Sequence, residues 1–162
     1  WQFNSTTCRS SLKNTEFILD LYGEGSLRSE LEEVSKNSDN INFLGTTPHE
    51  ELMNQYEKYK FYISLSSHEG NPKTTLEAMG SGCVSIVSNI PNNKEIITNF
   101  ETGVLIDPKI DNLIEVLRNL YGKKELTNKI TKNGINYIKN NNSIDKIISK
   151  EFDEYKKLSS FN

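Results

Sequence analysis

The amino-acid sequence predicts an α/β protein built on a doubly wound parallel sheet. Short apolar runs alternate with longer amphipathic stretches along most of the 162 residues. Glycine follows several of the short runs, as expected where a strand turns into a loop. Strands that alternate with helices along a chain are typical of a parallel sheet with helices on both faces.

Five strands are predicted, each from a short apolar run bounded by turn residues. The first strand is closed by Gly23-Glu24-Gly25, and the second is ended by Gly45. A turn-rich loop, residues 66–73, follows the third strand. The predicted strands cover residues 17–21, 41–44, 61–65, 84–87 and 103–106.

Seven helices are predicted from apolar residues at helical spacing and from start signals. The first helix carries an apolar face that includes Val34. The second has a strong start, because Thr47 can cap it, Pro48 suits its first position and Glu50 completes a capping box. The predicted helices cover residues 26–34, 48–58, 74–79, 93–98, 110–121, 124–140 and 144–158.

Composition narrows the range of functions. The net charge of -3 and the scattered basic residues indicate no nucleic-acid partner. Cys8 and Cys83 stand far apart without a CxxC pair or histidine ligands, which argues against a zinc site. No apolar run is long enough to span a bilayer, and the first residues are polar. We therefore expect a cytoplasmic protein, with attachment of a longer parent protein to the inner face of the membrane left open.

The loop after the third strand combines an anion site with two carboxylates. Glu69 lies on this loop and Glu77 lies eight residues later in the next helix, with Gly70 allowing close backbone approach. Free N–H groups at a helix start bind phosphate, whereas carboxylates accept hydrogen bonds from sugar hydroxyls. In doubly wound sheets, ligands bind beyond the carboxyl ends of the strands. This pattern predicts a ligand that carries both a diphosphate and sugars.

Several short motifs follow one another between residues 17 and 158. They are Gly23-Glu24-Gly25, Phe43-Leu44-Gly45, Glu51-Leu52, the pair Glu69 and Glu77, the run Glu-Ala-Met-Gly-Ser-Gly that begins at Glu77, Glu95, and Gly103 ahead of Asp107-Pro108. Together and in this order they resemble the family 4 glycosyltransferases, which are retaining enzymes of the GT-B fold. The resemblance implies a Rossmann-like domain, the C-terminal half of such an enzyme, that binds a nucleotide-sugar donor.

The resemblance also implies roles for single residues. By it, Glu69 contacts the hydroxyls of the donor sugar and is the catalytic residue, and Glu77 holds the nucleotide ribose. The nucleotide-sugar is a substrate, and neither a metal nor another cofactor is expected. The other expected donor-binding residues line the pocket or let the donor approach the backbone, and they are Gly23, Gly25, Gly70, Asn71, Pro72, Lys73, Thr74 and Thr75.

Three segments follow from the resemblance: an incomplete lead-in over residues 1–16, the nucleotide-sugar-binding domain over 17–142, and a C-terminal helix over 143–162. The family usually opens this domain with a strand and a basic segment that meets the diphosphate, and neither is predicted before Phe17. The N-terminal domain that would bind a saccharide or lipid-linked acceptor is expected to be missing. The chain alone is therefore expected to lack full activity.

The residues around Glu69 are typical of enzymes that build surface polysaccharides, and the sequence also leaves two other functions open. Asn71-Pro72 gives the Glu-Gly-x-Pro variant common in enzymes that build capsules and similar surface polysaccharides. Two other functions remain open: half of a nucleotide-sugar epimerase, or a non-catalytic module that binds a nucleotide or a partner. Taken alone, Glu77 is equally consistent with a capping-box partner of Thr74, whereas its place after Glu69 favours the ligand role. Surface or structural roles are favoured for His49 and His68.

Overall fold

A computed structural model gives the structure of this chain and describes residues 5–10 and 17–159. Six strands form one sheet. They are β1 (Ser5–Ser10), β2 (Phe17–Tyr22), β3 (Ile41–Gly45), β4 (Phe61–Ser64), β5 (Val84–Ser88) and β6 (Val104–Ile106). Their order across the sheet is β3-β2-β1-β4-β5-β6. The order reverses at β1, as in the doubly wound fold expected from the sequence.

The helices agree with the predicted ones to within a few residues at each end. They are α1 (Arg28–Ser35), α2 (His49–Tyr56), α3 (Lys73–Gly80), α4 (Pro91–Ile96), α5 (Ile110–Leu120), α6 (Lys124–Asn141) and α7 (Ile144–Ser159). The start of α2 differs in detail: its N-cap is Pro48, and no side chain caps it. The capping box predicted from Thr47 and Glu50 is therefore wrong.

Strand β1 corrects the expectation that the residues before Phe17 supply no strand. Residues Ser5–Ser10 pair antiparallel with β2 on one side and with β4 on the other. The segment contains no apolar run, but its two threonines favour extended backbone. The sheet is thus mixed rather than wholly parallel, because β1 runs opposite to the other five strands.

Alternation along β4 and β5 divides the core between the two faces of the sheet. Phe61 and Ile63 pack with side chains of α5 and α6, including Leu120 and Ile130. Tyr62, which lies between them in sequence, packs on the other face with residues of α2 and α3. Every residue of β4 and β5 is buried, as expected for central strands covered by helices on both faces.

The helices at the two ends of the chain are more exposed than the central ones. Helix α1 buries none of its residues, and Val34 is 79% exposed, so the apolar face predicted there is only partly covered. Helix α7 exposes a row of large apolar side chains, among them Ile148 and Phe152. Within the described part of the chain, no helix has the length and apolarity needed to cross a membrane.

Gly103 is packed tightly against β5 and Ile97, so a larger residue there requires its neighbours to shift. A Cβ atom built on it would lie 3.0 Å from the Ser85 carbonyl oxygen and 3.0 Å from Ile97 Cδ1. We expect Gly103→Ala to lower the free energy of unfolding by about 1–3 kcal/mol, because the backbone of β5 cannot yield easily. Chemical denaturation measures the loss, and Gly25→Ala is the control because nothing lies within 4 Å of its added methyl group. Equal stability of the two variants would contradict this packing account.

Candidate functional site

The loops that follow the strands meet at one edge of the sheet. Strand β2 is parallel to β3, and β4 is parallel to β5 and β6. Because β1 is antiparallel to both β2 and β4, these five strands all point the same way. Their carboxyl ends therefore share an edge, which is where doubly wound sheets bind ligands.

Two glycine loops are joined at this edge. The Gly23 N–H donates a hydrogen bond to the Gly45 carbonyl oxygen, at 2.7 Å. Both glycines have positive φ, at 120° and 68°, a region in which side chains are strained. Arg28 links the loop after β2 to strand β3. Its guanidinium pairs with Glu24, and it donates a hydrogen bond to the Phe43 carbonyl oxygen at 3.3 Å.

A cavity of about 280 Å³ opens at the joined loops. It is lined by the end of β2, the loop after β3, the start of α2 and the start of α3. The lining residues are Tyr22, Gly23, Gly45, Thr46, Thr47, His49, Leu52 and Thr74. We call it the glycine-loop cavity. It brings together Gly23 and Thr74, two of the residues expected to bind the donor.

Glu77 projects from α3 toward the start of α2. Its Oε1 atom lies 2.9 Å from His49 Nε2, and its side chain is 22% exposed. Thr74 does not form the capping box considered from the sequence, since α3 has no side-chain cap and the Thr74 hydroxyl lies 2.8 Å from that of Tyr62. The carboxylate of Glu77 therefore takes no part in capping α3.

One oxygen of the Glu77 carboxylate has no partner. Oε2 is buried and makes no hydrogen bond within the described structure. The Tyr56 hydroxyl is buried and unpaired in the same way. Burial, then the charges of Tyr62 and Glu77, raise the pKa of Tyr56, so its hydroxyl stays protonated beside this carboxylate. Buried polar groups are normally satisfied, so the unpaired oxygen of Glu77 indicates a place for a ligand or water.

The loop between β4 and α3 carries four of the predicted residues, Glu69, Gly70, Asn71 and Pro72. The Asn92 amide in α4 donates to the Gly70 carbonyl oxygen at 2.7 Å and fixes the middle of the loop. Glu69 is half-buried on this loop. Burial raises the pKa of Tyr62, and the negative charge of Glu69 adds to this effect, which places Glu69 within electrostatic reach of the tyrosine.

A second and larger cavity, of about 540 Å³, lies on the other side of Glu77. It contains Asn71, Lys73 and Glu77, and it extends to the ends of α6 and α7. Of the other predicted residues, Gly25 and Gly70 are exposed, while Pro72 and Thr75 are buried. Five of the ten predicted residues therefore line one of the two cavities, and the bond between Glu77 and His49 links the cavities. The five that line neither cavity are Gly25, Glu69, Gly70, Pro72 and Thr75.

The start of α3 offers backbone donors at the same place. No side chain caps this helix, and the Leu76 N–H is the first to bond back, to the Pro72 carbonyl oxygen. The N–H groups of Thr74 and Thr75 precede it and have no partner inside a helix. With the positive end of the helix dipole, they are suited to hold an anion such as a phosphate.

The sequence interpretation missed two members of the site. His49 was assigned a surface or structural role, and Tyr56 was not singled out for the site. His49 bonds to Glu77, which lies 28 residues later, and Tyr56 is within electrostatic reach of the same carboxylate. The position of His49 just beyond the loop after β3 is the signal that pointed to this edge. Across the described residues, no cluster of three or more His, Cys, Asp or Glu side chains has the arrangement of a metal site.

Comparison with known proteins gives one consistent family. The family described as "Glycosyl transferases group 1" matches residues 7–137. The GtfA subunit of a UDP-N-acetylglucosamine--peptide N-acetylglucosaminyltransferase from Streptococcus pneumoniae serotype 4 is 31% identical over 110 residues, which is 67% of this chain and 22% of that protein. The corresponding subunit from Streptococcus agalactiae is 39% identical over 92 residues, 56% of this chain and 18% of that protein. The aligned part of the chain thus spans about a fifth of the length of these curated relatives.

Solved structures give the same fold. Sucrose-phosphate synthase from Thermosynechococcus elongatus superposes with a TM-score of 0.74 at 19% identity, over 88% of this chain and 38% of that one. Pneumococcal O-GlcNAc transferase GtfA, in complex with UDP and GlcNAc, superposes with a TM-score of 0.58 at 26% identity, over 75% of this chain and 26% of that one. The C-terminal domain of a group 1 glycosyl transferase, LpcC from Francisella tularensis, does so with a TM-score of 0.61 at 29% identity, over 73% and 63% of the two chains. Sequence and fold agree: this chain belongs to the glycosyl transferases group 1 family.

Proposed function

We propose that this chain is the donor-binding part of a retaining glycosyltransferase that takes its sugar from a uridine diphosphate donor. The observation that carries the proposal is the set of groups at one edge of the sheet: glycine loops, an uncapped helix start that offers N–H donors, and the carboxylate of Glu77, an acceptor that is 22% exposed. The GtfA relatives are named as users of UDP-N-acetylglucosamine, which supports N-acetylglucosamine as the sugar.

The proposed pose follows the chemistry of the two cavities. The base enters the glycine-loop cavity, where Gly23 and Gly45 allow close approach. The ribose lies at the His49 side of that cavity, next to Glu77, which lines the larger cavity and accepts hydrogen bonds from the ribose hydroxyls. The diphosphate meets the start of α3. The sugar lies toward the loop that carries Glu69, which contacts its hydroxyls and is the proposed catalytic residue.

Catalysis in this proposal is mostly positioning and charge stabilisation. The N–H groups at the start of α3 stabilise the charge that develops on the departing diphosphate. The proposed transfer needs no metal, an expectation that rests on the family resemblance. The acceptor is proposed to be bound by a further domain. The sequence variant at Asn71-Pro72 favours a saccharide or lipid-linked acceptor, whereas the names of the relatives favour a peptide.

Calorimetry tests the binding step directly. The chain is expected to bind UDP with measurable affinity, and binding should be unchanged by EDTA. A panel of the other nucleoside diphosphates identifies the base that fits the glycine-loop cavity. If none of these nucleotides binds, the proposed donor site is wrong; if binding disappears on adding EDTA, the metal-free mechanism is wrong.

A further inference from the structure

We propose that His49 is a positioning residue that orients the Glu77 carboxylate toward the nucleotide ribose. The inference rests on the proposed function, because it concerns the same carboxylate, and it assigns a role to a histidine outside the family motifs. His49 is the first residue of α2, and its ring bonds across to α3 at 2.9 Å. It acts on the ligand through Glu77.

The geometry gives the hydrogen bond a direction. A carboxylate at neutral pH only accepts, so the imidazole Nε2–H of His49 donates to Oε1 of Glu77. That bond fixes the rotation of the carboxylate about its own axis. The second oxygen, Oε2, is buried and makes no hydrogen bond within the described structure. Without His49, neither oxygen of the carboxylate has a hydrogen-bond partner within the described structure, and its rotation is no longer fixed.

The position of His49 also explains why an exposed side chain has a defined partner. Its side chain is 68% exposed, whereas that of Glu77 is 22% exposed. Holding a pair at such a place costs side-chain entropy, and exposed pairs contribute little to stability. Orientation of the ribose-binding group is therefore a better account of the pair than support of the fold.

A direct contact between His49 and the nucleotide is the competing account, since His49 also lines the glycine-loop cavity. The two accounts differ in how they depend on the ribose hydroxyls. If His49 acts through Glu77, its removal affects only nucleotides that have those hydroxyls. If His49 touches the base or phosphate, its removal affects every nucleotide equally.

The experiment compares UDP with 2′,3′-dideoxyuridine diphosphate by calorimetry on the 162-residue chain. We expect His49→Ala to weaken UDP binding by about threefold to tenfold, the effect of one hydrogen bond. Its affinity for the dideoxy nucleotide should equal that of the unaltered chain.

Three further variants are the controls. His49→Gln keeps an N–H donor and should retain most of the UDP affinity, and His68→Ala is the matched histidine control. His49→Phe is a second donor-free variant if the alanine variant does not fold.

The outcomes separate the inference from the function on which it rests. Failure of the unaltered chain to bind UDP overturns the proposed donor site and the inference with it. Ribose-dependent binding that His49→Ala and His49→Phe leave unchanged overturns only the role of His49. Equal weakening of both nucleotides assigns His49 a direct contact and also overturns the positioning role.

Discussion

Replacing Glu77 by alanine is expected to weaken UDP binding by about tenfold to a hundredfold. A charge-assisted hydrogen bond contributes about 1.5–3 kcal/mol, and each 1.4 kcal/mol is a factor of ten in affinity. The expected loss is larger than for His49 because the substitution removes the acceptor itself. Calorimetry with UDP measures the change.

Stability and a second glutamate provide the controls for this prediction. Glu77 makes its hydrogen bond to His49 and does not cap α3, so Glu77→Ala should leave thermal stability nearly unchanged. Glu57→Ala removes an exposed carboxylate at the end of α2 and should leave UDP affinity unchanged. A Glu77→Ala variant that is destabilised but binds UDP normally would show that this carboxylate supports the fold and does not bind the ribose.

The 162-residue chain by itself is expected to bind the donor without transferring sugar at the rate of a complete enzyme. Group transfer gains most of its rate from holding donor and acceptor together, and the acceptor site is proposed to lie in another domain. The aligned part of the chain covers 22% of the pneumococcal GtfA subunit, which leaves most of such a protein to supply that site.

The assay for transfer follows release of UDP from UDP-N-acetylglucosamine, with peptide and saccharide acceptors and without an acceptor. A full-length GtfA protein serves as the positive control for the assay conditions. Turnover of the short chain at a rate comparable to this control would contradict the division between donor-binding and acceptor-binding parts.

The sheet was predictable where a strand is apolar and buried. Strands β4 and β5 are buried along their whole length, and six of their nine side chains are apolar or aromatic, which gives a clear strand signal in the sequence. Strand β1 has no such signal, because its sequence contains no apolar run. Only its backbone pairing with β2 and β4 identifies it as a strand. Its antiparallel direction also has no local cause in the sequence.

The site was predictable in its location and less so in its contacts. Strand ends and glycines indicate which loops meet at one edge, and Gly23 and Gly45 are indeed joined there. The bond between His49 and Glu77 joins residues on two different helices, and nothing in the spacing of 28 residues indicates it. Only the packing of α2 against α3 brings the two side chains together.

The most direct test of the proposed donor site is a titration of the ¹⁵N-labelled chain with UDP, followed by nuclear magnetic resonance. The account predicts that the largest amide shift changes occur at Gly23, at residues 45–47 and His49 around the glycine-loop cavity, and at residues 73–77 at the start of α3. Saturable changes centred on α5 or α7, with these amides unmoved, would contradict it.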